Sequence, residues 1–168
     1  TDRLNYCSSM INNIAFVKAV ESWLGGELTD RCKFMRVILT EFYRVQDHLV
    51  CLAANLLDMG GLTNYWYLYN QKEASYDFIS RLTGARLTSS FTRVGGMYRD
   101  FYEGWEADME QHLRDIEKGV GDSLKLVLKN RIVHDRSQGV CVMSPEKALS
   151  FGFTGPCLRA SGVPFDLR

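Results

Sequence analysis

Six polar residues recur at every third or fourth position along one stretch of the chain, a spacing that aligns side chains on one face of a helix. They are Glu41, Arg44, His48, Cys51, Asn55 and Asp58. Two interpretations stay open for this polar row. It is a solvated helix face with neighbouring ion pairs, or it is a charged seam against a partner or a buried site. Spacing alone favours the solvated face, whereas the mixture of imidazole, thiol, amide and carboxylate groups, with no lysine in its second half, points toward the seam.

The sequence lacks the local motifs of independent catalysis. Its three histidines form no HExxH spacing, and no GxSxG, P-loop or dinucleotide fingerprint is present. The five cysteines include no CxxC pair, so no disulfide framework, zinc site or iron–sulfur site is indicated, and a reducing compartment fits best. A net charge of zero gives no reason to expect nucleic acid as a partner. The sequence contains no run of about 18 apolar residues, so it does not predict a membrane-spanning helix.

The polar row belongs to a stretch that predicts one long helix, from about residue 29 to 59. Thr29 is a candidate N-cap, and the glycine pair at 60 and 61 ends the helix. Such a helix is roughly 45 Å long, enough to run through a small domain. Its apolar residues fall in two adjacent rows, which are Ile38, Phe42, Val45, Leu49, Leu52, Leu56 and Met59, and Met35, Leu39, Val50, Ala53 and Leu57.

Shorter elements are predicted around this helix. Helices are expected at about 4–24 with Asp2 as a cap, at 73–83, and at 101–130, the last as a solvated outer helix. The aromatic run 62–69 fits either a helix start or an irregular wall, and 85–96 reads as a loop. The residues Gly139 to Met143 could form one short strand, and Ser144 with Pro145 predicts a helix start.

These elements predict a mostly α fold, a helical bundle built on the long helix with a short irregular C-terminal tail that carries at most a small strand. We expect residues 1–168 to form a single, apparently incomplete domain, with a helical core at about 1–130 and a tail at 131–168. Both ends look cut, so we expect a fragment or one piece of a split protein.

Ordered blocks of the sequence resemble a known family. They are Asp2–Tyr6, Ala19–Glu21, Arg36-Val37 with Glu41, Arg44 and His48-Leu49, Leu57–Gly60 with Leu62-Thr63, Thr83–Arg86 with Arg93 and Gly95-Gly96, and Asn130–Ile132 with Ser144, Ala148-Leu149, Gly152, Thr154-Gly155 and Leu158–Val163. The ordered set, which spans essentially the whole chain, resembles the quinone-site (49 kDa-type) subunit of respiratory complex I, NADH:ubiquinone oxidoreductase. That family is related in fold to the large subunit of nickel–iron hydrogenases.

The resemblance implies two central residues of a quinone site. Tyr6 matches the tyrosine that hydrogen-bonds the quinone head group, and a phenol can donate a hydrogen bond or a proton to a quinone oxygen. Asp58 matches the aspartate that hydrogen-bonds a histidine in an N-terminal section absent from this sequence. Arg3, Ser8 and Val50 match positions that line the same pocket.

The resemblance also implies an interface for electron transfer. Arg86 and Arg93 match arginines near the subunit that carries the terminal [4Fe-4S] cluster, so that cofactor belongs to a partner and this chain binds none covalently. Thr88 stands where many members place a histidine close to the cluster. Glu41, Arg44 and His48 of the polar row match recurring positions of the family.

Several residues depart from the family pattern. Asn5 replaces the usual aspartate of the first block, and Asn55 replaces a histidine near Asp58. A threonine at position 88 should weaken the pH dependence that a histidine would give the cluster potential. Val94 replaces a proline and Ala160 replaces a glycine. These departures suggest a divergent member that keeps the tyrosine and the aspartate.

The function implied is quinone reduction within a proton-pumping NADH:quinone oxidoreductase, with no activity in this chain alone. The implied partners are other complex I subunits and companion fragments that supply the missing sections. The implied location is peripheral, on the matrix side of the mitochondrial inner membrane or the cytoplasmic side of a bacterial membrane. One alternative is a large-subunit relative of a membrane-bound hydrogenase, against which the Asp2–Tyr6 block argues. Another is a non-catalytic scaffold, against which the retention of Tyr6 and Asp58 argues.

Overall fold

The computed structural model describes residues 1–166, and its architecture confirms the mostly α prediction. A 3₁₀ turn, Tyr6–Ser8, precedes the first helix. The remaining elements are α1 (Ser9–Leu24), α2 (Asp30–Asp58), α3 (Leu62–Thr83), β1 (Thr92–Arg93), β2 (Gly96–Met97), α4 (Trp105–Leu128), α5 (Arg131–Ser137), α6 (Pro145–Ser150) and α7 (Gly155–Ala160). They belong to two compact units, Thr1–Lys129 and a second from Asn130 onward. That the chain forms one domain stays a prediction.

The long helix α2 begins and ends where its local sequence indicates. The Thr29 hydroxyl accepts a hydrogen bond from the backbone N–H of Cys32 at 3.4 Å, so it is the N-cap. At the other end, Gly60 takes a positive φ of 91°, and the Gly61 N–H donates to the carbonyl of Leu56 at 2.7 Å. The prediction of one uninterrupted helix is therefore confirmed.

The buried side of α2 differs from the predicted apolar rows. Arg36, Tyr43 and Gln46 are buried, whereas Ile38 and Leu52 are exposed. The reason is that α2 packs against α1, α3 and the Tyr6–Ser8 turn at once. These neighbours supply polar partners to some buried positions and leave apolar positions on the opposite side uncovered.

Helix α3 is longer than the predicted 73–83, because the aromatic run forms its first two turns. Tyr65 and Tyr69 stack one turn apart, with ring centroids at 4.7 Å. The helix ends at Gly84, whose φ of 80° lets its N–H donate to the carbonyl of Ser80 at 2.8 Å.

Helix α1 begins later than predicted. Asp2 does not cap it, because residues 2–5 form turns and the helix starts only after the 3₁₀ turn. Its buried side carries Met10, Ile14 and Val17. Met10 and Ile14 contribute to a core built from α1 to α4 and the segment before β1, which includes Met10, Ile14, Leu39, Phe42, Tyr43, Phe78, Ile79, Leu82, Phe91, Trp105 and Met109.

The prediction that the fourth helix is a solvated outer helix is wrong for one side of α4. Trp105, Met109 and Ile116 are buried, and the helix packs along α3. Gly119 does not interrupt α4 but lets it approach α3 closely, since a Cβ there would lie 2.6 Å from Cγ of Gln71. Charged side chains cover only the opposite side.

The one sheet within residues 1–166 is a two-stranded antiparallel hairpin of β1 and β2, which pairs Thr92 with Met97 and Arg93 with Gly96. It lies in the stretch that the sequence predicts as a loop. The predicted strand Gly139–Met143 is wrong, because Cys141 takes a positive φ of 53° and the segment is bent.

The second unit contains three short helices, α5, α6 and α7, where an irregular tail was expected. Ser144 caps α6, as predicted, and accepts a hydrogen bond from the backbone N–H of Lys147 at 3.3 Å. Ala148 and Leu158 are the buried apolar residues of this unit within residues 130–166. Helices α6 and α7, which are too short to be stable alone, pack against each other.

Candidate functional site

Tyr6 lies in the first position of the 3₁₀ turn and points its ring outward. Its side chain is 60% exposed. Within residues 1–166 its hydroxyl has no hydrogen-bond partner, so the phenol is available to a ligand. An exposed aromatic held on a short turn suits ligand docking, because its two χ angles carry little conformational entropy.

The turn is tied down through Asn5. The Asn5 amide nitrogen donates to the Ser8 hydroxyl at 2.7 Å and to an Asp47 carboxylate oxygen of α2 at 3.1 Å. The Asn5 carbonyl accepts from the side chain of Asn12 at 3.1 Å. Three independent contacts therefore fix the backbone that presents Tyr6.

A buried cation lies on α3 in the same region. Lys72 is only 6% exposed, and its ammonium lies 3.9 Å from the ring centroid of Tyr69 and 4.3 Å from that of Tyr76. It donates to Glu73 Oε1 at 2.7 Å. Burial by itself would lower the pKa of Lys72, but the hydrogen bonds to Glu73 and Tyr69 outweigh it and raise the pKa. The side chain therefore stays charged, stabilised by cation–π contacts.

The thiol of Cys7, in the 3₁₀ turn, interacts electrostatically with both Asp47 and Lys72. Burial raises the pKa of the Cys7 thiol, the Asp47 carboxylate raises it further, and the Lys72 ammonium offsets part of this. The thiol is therefore kept protonated and is a poor nucleophile. Asp47 and Lys72 act on the turn from two different helices.

Asp58 lies in the last turn of α2 and is exposed. Its carboxylate forms no hydrogen bond or ion pair within residues 1–166, and it faces the negative end of the helix dipole. Asp47, which accepts a hydrogen bond from Asn5, lies about three helical turns before Asp58, roughly 16 Å along α2. The structure thus does not bring Tyr6 and Asp58 into contact. Val50, half-buried, lies one turn beyond Asp47 on the same side of α2.

The other two predicted pocket residues lie on either side of Tyr6. Ser8 is buried and accepts the Asn5 hydrogen bond, so its hydroxyl is part of the turn's own structure. Arg3 is exposed on the segment that leads into the turn.

The predicted cluster-interface residues lie on the segment between α3 and β2. Arg86 pairs with Glu73 at 2.7 Å and with Asp77, and Thr88 is half-buried. The Arg93 guanidinium donates to the Ser90 carbonyl at 2.6 Å and lies 5.1 Å from the ring centroid of Tyr98. Arg93 therefore stabilises the loop to which it belongs.

A buried ion pair, which the spacing of the sequence did not reveal, holds this segment on α1 and α2. Arg36 donates to both carboxylate oxygens of Glu21, at 2.6 and 2.7 Å. It also donates to the carbonyls of Arg93 and Gly96 at 3.0 and 3.1 Å, while Glu21 accepts from the Gly95 N–H at 2.7 Å. We call Glu21 and Arg36 the clamp pair. The Arg36 hydrogen bonds hold the pKa of Glu21 below its ordinary value.

The polar row of α2 faces solvent within this chain. Glu41 and His48 are exposed, and Arg44, half-buried, pairs with Glu41 at 2.8 Å. Glu41 also lines one end of a mostly apolar groove of about 640 Å³ between α1 and α2, with Ile11 and Val37 among its walls. The row is therefore not a buried site within the chain.

Residues 1–166 hold no group of three or more His, Cys, Asp and Glu side chains arranged to bind a metal ion. The same part of the chain contains no helix that combines the length and the apolar character needed to cross a membrane.

Comparison with known proteins assigns the family. The family model described as "Respiratory-chain NADH dehydrogenase, 49 Kd subunit" matches residues 58–168. The chain belongs to this family. The resemblance stated from the sequence blocks is thereby confirmed, and the match includes Asp58, Arg86 and Arg93.

Curated relatives match the rest of the chain as well. The chain is 47% identical over its whole length to an NADH-quinone oxidoreductase subunit of Pelobacter propionicus, covering 42% of that protein. It is 44% identical, again over its whole length, to an NADH-quinone oxidoreductase subunit of Bdellovibrio bacteriovorus, covering 30% of that protein. The chain thus spans less than half the length of these two curated relatives.

The structure adds residues to the candidate site that the sequence spacing did not reveal. Asp47 and Lys72 lie at the turn, and the clamp pair lies behind Arg93. A signal for the clamp existed, since Glu21 and Arg36 each interrupt an apolar stripe, and a charge at such a position is buried only when it is paired. No comparable signal marked Asp47, because its partner is 42 positions away.

Proposed function

We propose that this chain forms one wall of the quinone-reduction site of a proton-translocating NADH:quinone oxidoreductase. The observation that carries the proposal is the exposed Tyr6 phenol, which has no partner within residues 1–166 and is held on a turn fixed by Asn5. Membership of the 49 kDa family supports it. In this role Tyr6 donates a hydrogen bond to the oxygen of a bound quinone.

Asp58 has a separate role in the proposal. Its exposed carboxylate is free to orient a histidine supplied by another section of a family-length protein or by a companion chain. Such a pair sets the protonation of the site while the quinone is reduced. Arg3 and Val50 complete the surroundings of the head group, and Ser8 supports the turn from within.

Electron transfer into the site is proposed at the segment that carries Arg86, Thr88 and Arg93. A [4Fe-4S] cluster would be held by a partner subunit, and it would supply electrons to the site at this segment. The two arginines are held by hydrogen bonds and ion pairs, which suits a rigid interface. Because residue 88 is a threonine, we expect the cluster potential to vary little with pH.

The remaining partners are other subunits of the same complex, and the polar row of Glu41, Arg44 and His48 offers them a charged surface. We propose a peripheral position at the mitochondrial inner membrane, on the matrix side, or at a bacterial cytoplasmic membrane, on the cytoplasmic side.

The test is Tyr6→Phe in the full-length protein within its native membrane assembly. We expect kcat/KM for NADH-driven quinone reduction to fall about tenfold or more, since a hydrogen bond to the substrate is lost while the ring is kept. Tyr67→Phe removes a hydroxyl from a similarly exposed tyrosine on α3 and should leave the rate unchanged.

Purification from native membranes in mild detergent comes first, with mass spectrometry of the proteins that copurify. An active assembly with iron–sulfur subunits supports the proposal. An assembly without quinone reductase activity, or a Tyr6→Phe variant as active as the parent, would instead support a scaffold that kept the fold and lost the site.

A further inference from the structure

The turn that presents Tyr6 is joined to α2 by one hydrogen bond with a fixed direction. Of the two side chains, only the Asn5 amide can donate, because an ionised Asp47 carboxylate only accepts. One amide N–H of Asn5 faces the Ser8 hydroxyl at 2.7 Å, and the other faces Asp47 Oδ2 at 3.1 Å. The amide is thus fully used as a donor.

Asp47 has no competing partner in the part of the chain that the structure describes. Within residues 1–166 its carboxylate forms no ion pair, and Lys72, the nearby cation, is paired with Glu73 at 2.7 Å. Both charges influence the pKa of the Cys7 thiol, in opposite directions. Within residues 1–166, the hydrogen-bond partner of the Asp47 carboxylate is therefore the Asn5 amide.

We infer that Asp47 is a positioning residue for the proposed quinone site, because by accepting the Asn5 amide it fixes the turn that carries Tyr6 on the long helix. This inference rests on the proposed function. It assigns to a half-buried residue of α2 a role in quinone affinity, acting through Asn5 and the backbone.

Exchanging the side chains of Asn5 and Asp47 tests this hydrogen bond selectively. Asn5→Asp alone sets two carboxylates against each other at hydrogen-bond distance, which is repulsive. Asn5→Asp combined with Asp47→Asn restores one donor and one acceptor with the direction reversed. The Ser8 hydroxyl can then donate to the new carboxylate, so every group keeps a partner. The exchanged pair also returns position 5 to the aspartate that is usual in the family.

The experiment uses the full-length protein in its membrane assembly, with ubiquinone as the acceptor and activity expressed per assembled complex on native gels. For Asn5→Asp we expect KM for quinone to rise about tenfold, while kcat changes less than threefold, since the lost contact orients a binding group. Asp47→Asn keeps a neutral amide–amide hydrogen bond and should change KM less than threefold. The double exchange should return KM to within twofold of the parent.

A matched control is Asn70→Asp, which adds the same charge at an exposed position of α3, in the groove between α3 and α4, and should leave KM unchanged. A KM that is unaltered by Asn5→Asp, or a double variant no better than Asn5→Asp, would overturn the inference. A parent assembly that reduces no quinone would instead reject the proposed function, whatever the variants do. If Asn5→Asp lowers the amount of complex with an unchanged KM, the hydrogen bond serves folding only and the inference is wrong.

Discussion

Replacing Arg36 with methionine tests whether the clamp pair organises the helical unit. The guanidinium is 4% exposed and makes four hydrogen bonds, two to Glu21 and two to the carbonyls of Arg93 and Gly96. The substitution keeps the side chain's apolar stem but leaves the Glu21 carboxylate, which is 8% exposed, with only the Gly95 N–H as a partner.

The expected cost follows from this geometry. Removing one partner of a buried pair leaves an uncompensated charge and costs about 3–5 kcal/mol. Against a total stability of roughly 5–15 kcal/mol, that is a large fraction. For a chain of this length the loss corresponds to a decrease in Tm of roughly 10–15 °C. Removing both charges, in Glu21→Leu with Arg36→Met, should cost less than the sum of the single changes, because no buried charge then remains.

Thermal and urea unfolding of the purified chain, followed by circular dichroism, measures these losses. Arg31→Met is a matched control, since Arg31 also forms two hydrogen bonds with one carboxylate, that of Asp100, at 2.7 and 2.8 Å. That pair is solvent-exposed, so its loss should hardly change Tm. Equal losses for Arg36→Met and Arg31→Met, or additive effects of the two clamp substitutions, would refute the reasoning.

The clamp pair also predicts a pH dependence with a definite sign. Because Arg36 lowers the pKa of Glu21 in the folded state, the unfolded chain binds a proton at this residue more readily. The stabilisation is complete above the ordinary glutamate pKa of about 4.5 and is lost as pH falls through the lowered value. The difference in stability between the parent and Arg36→Met should therefore shrink as pH falls below about 4.5. Two further predictions concern Asp58 and His112. Asp58→Asn should lower quinone reduction in the assembled complex about tenfold or more. It should also raise the stability of the purified chain by about 0.5 kcal/mol, because it removes a negative charge at the negative end of the α2 dipole. Activity assays and urea midpoints measure the two effects, and a variant as active as the parent contradicts the prediction. Burial lowers the pKa of His112, which lies against Ser75 at 2.9 Å and stacks on Phe78. Its contribution to stability is therefore complete above pH about 6.5 and declines below it, so Tm should fall more between pH of about 7 and about 5.5 in the parent than in His112→Gln; parallel Tm curves would contradict this.

Much of the site was accessible from the sequence only through the family resemblance. Nothing in the spacing of Tyr6 or Asp58 distinguishes them from a surface tyrosine and a last-turn aspartate. The ordered blocks indicated the family, and the comparisons confirm it. The roles of Tyr6 and Asp58 stay predictions, and the structure supplies for them an exposed phenol and, within residues 1–166, an unpaired carboxylate.

The sequence by itself determined the elements whose signals are local. Thr29 caps α2 and the following glycines end it, while Ser144 with Pro145 begins α6, because a cap acts within three or four residues along the chain. No glycine or proline lies between these two signals in α2, so nothing local interrupts the helix. These features could therefore be predicted without knowing what packs against them.

Tertiary structure alone decided which side of α2 is buried and where the hairpin forms. Gln46, 1% exposed, is buried and Ile38 is not, because the positions of α1 and α3 select the covered side. The hairpin forms at 92–97 since the clamp pair, from two helices, binds its backbone. Asn5 meets Asp47 only after the chain has folded back. Contacts between residues distant in sequence leave no periodic pattern, and so only the folded structure reveals them.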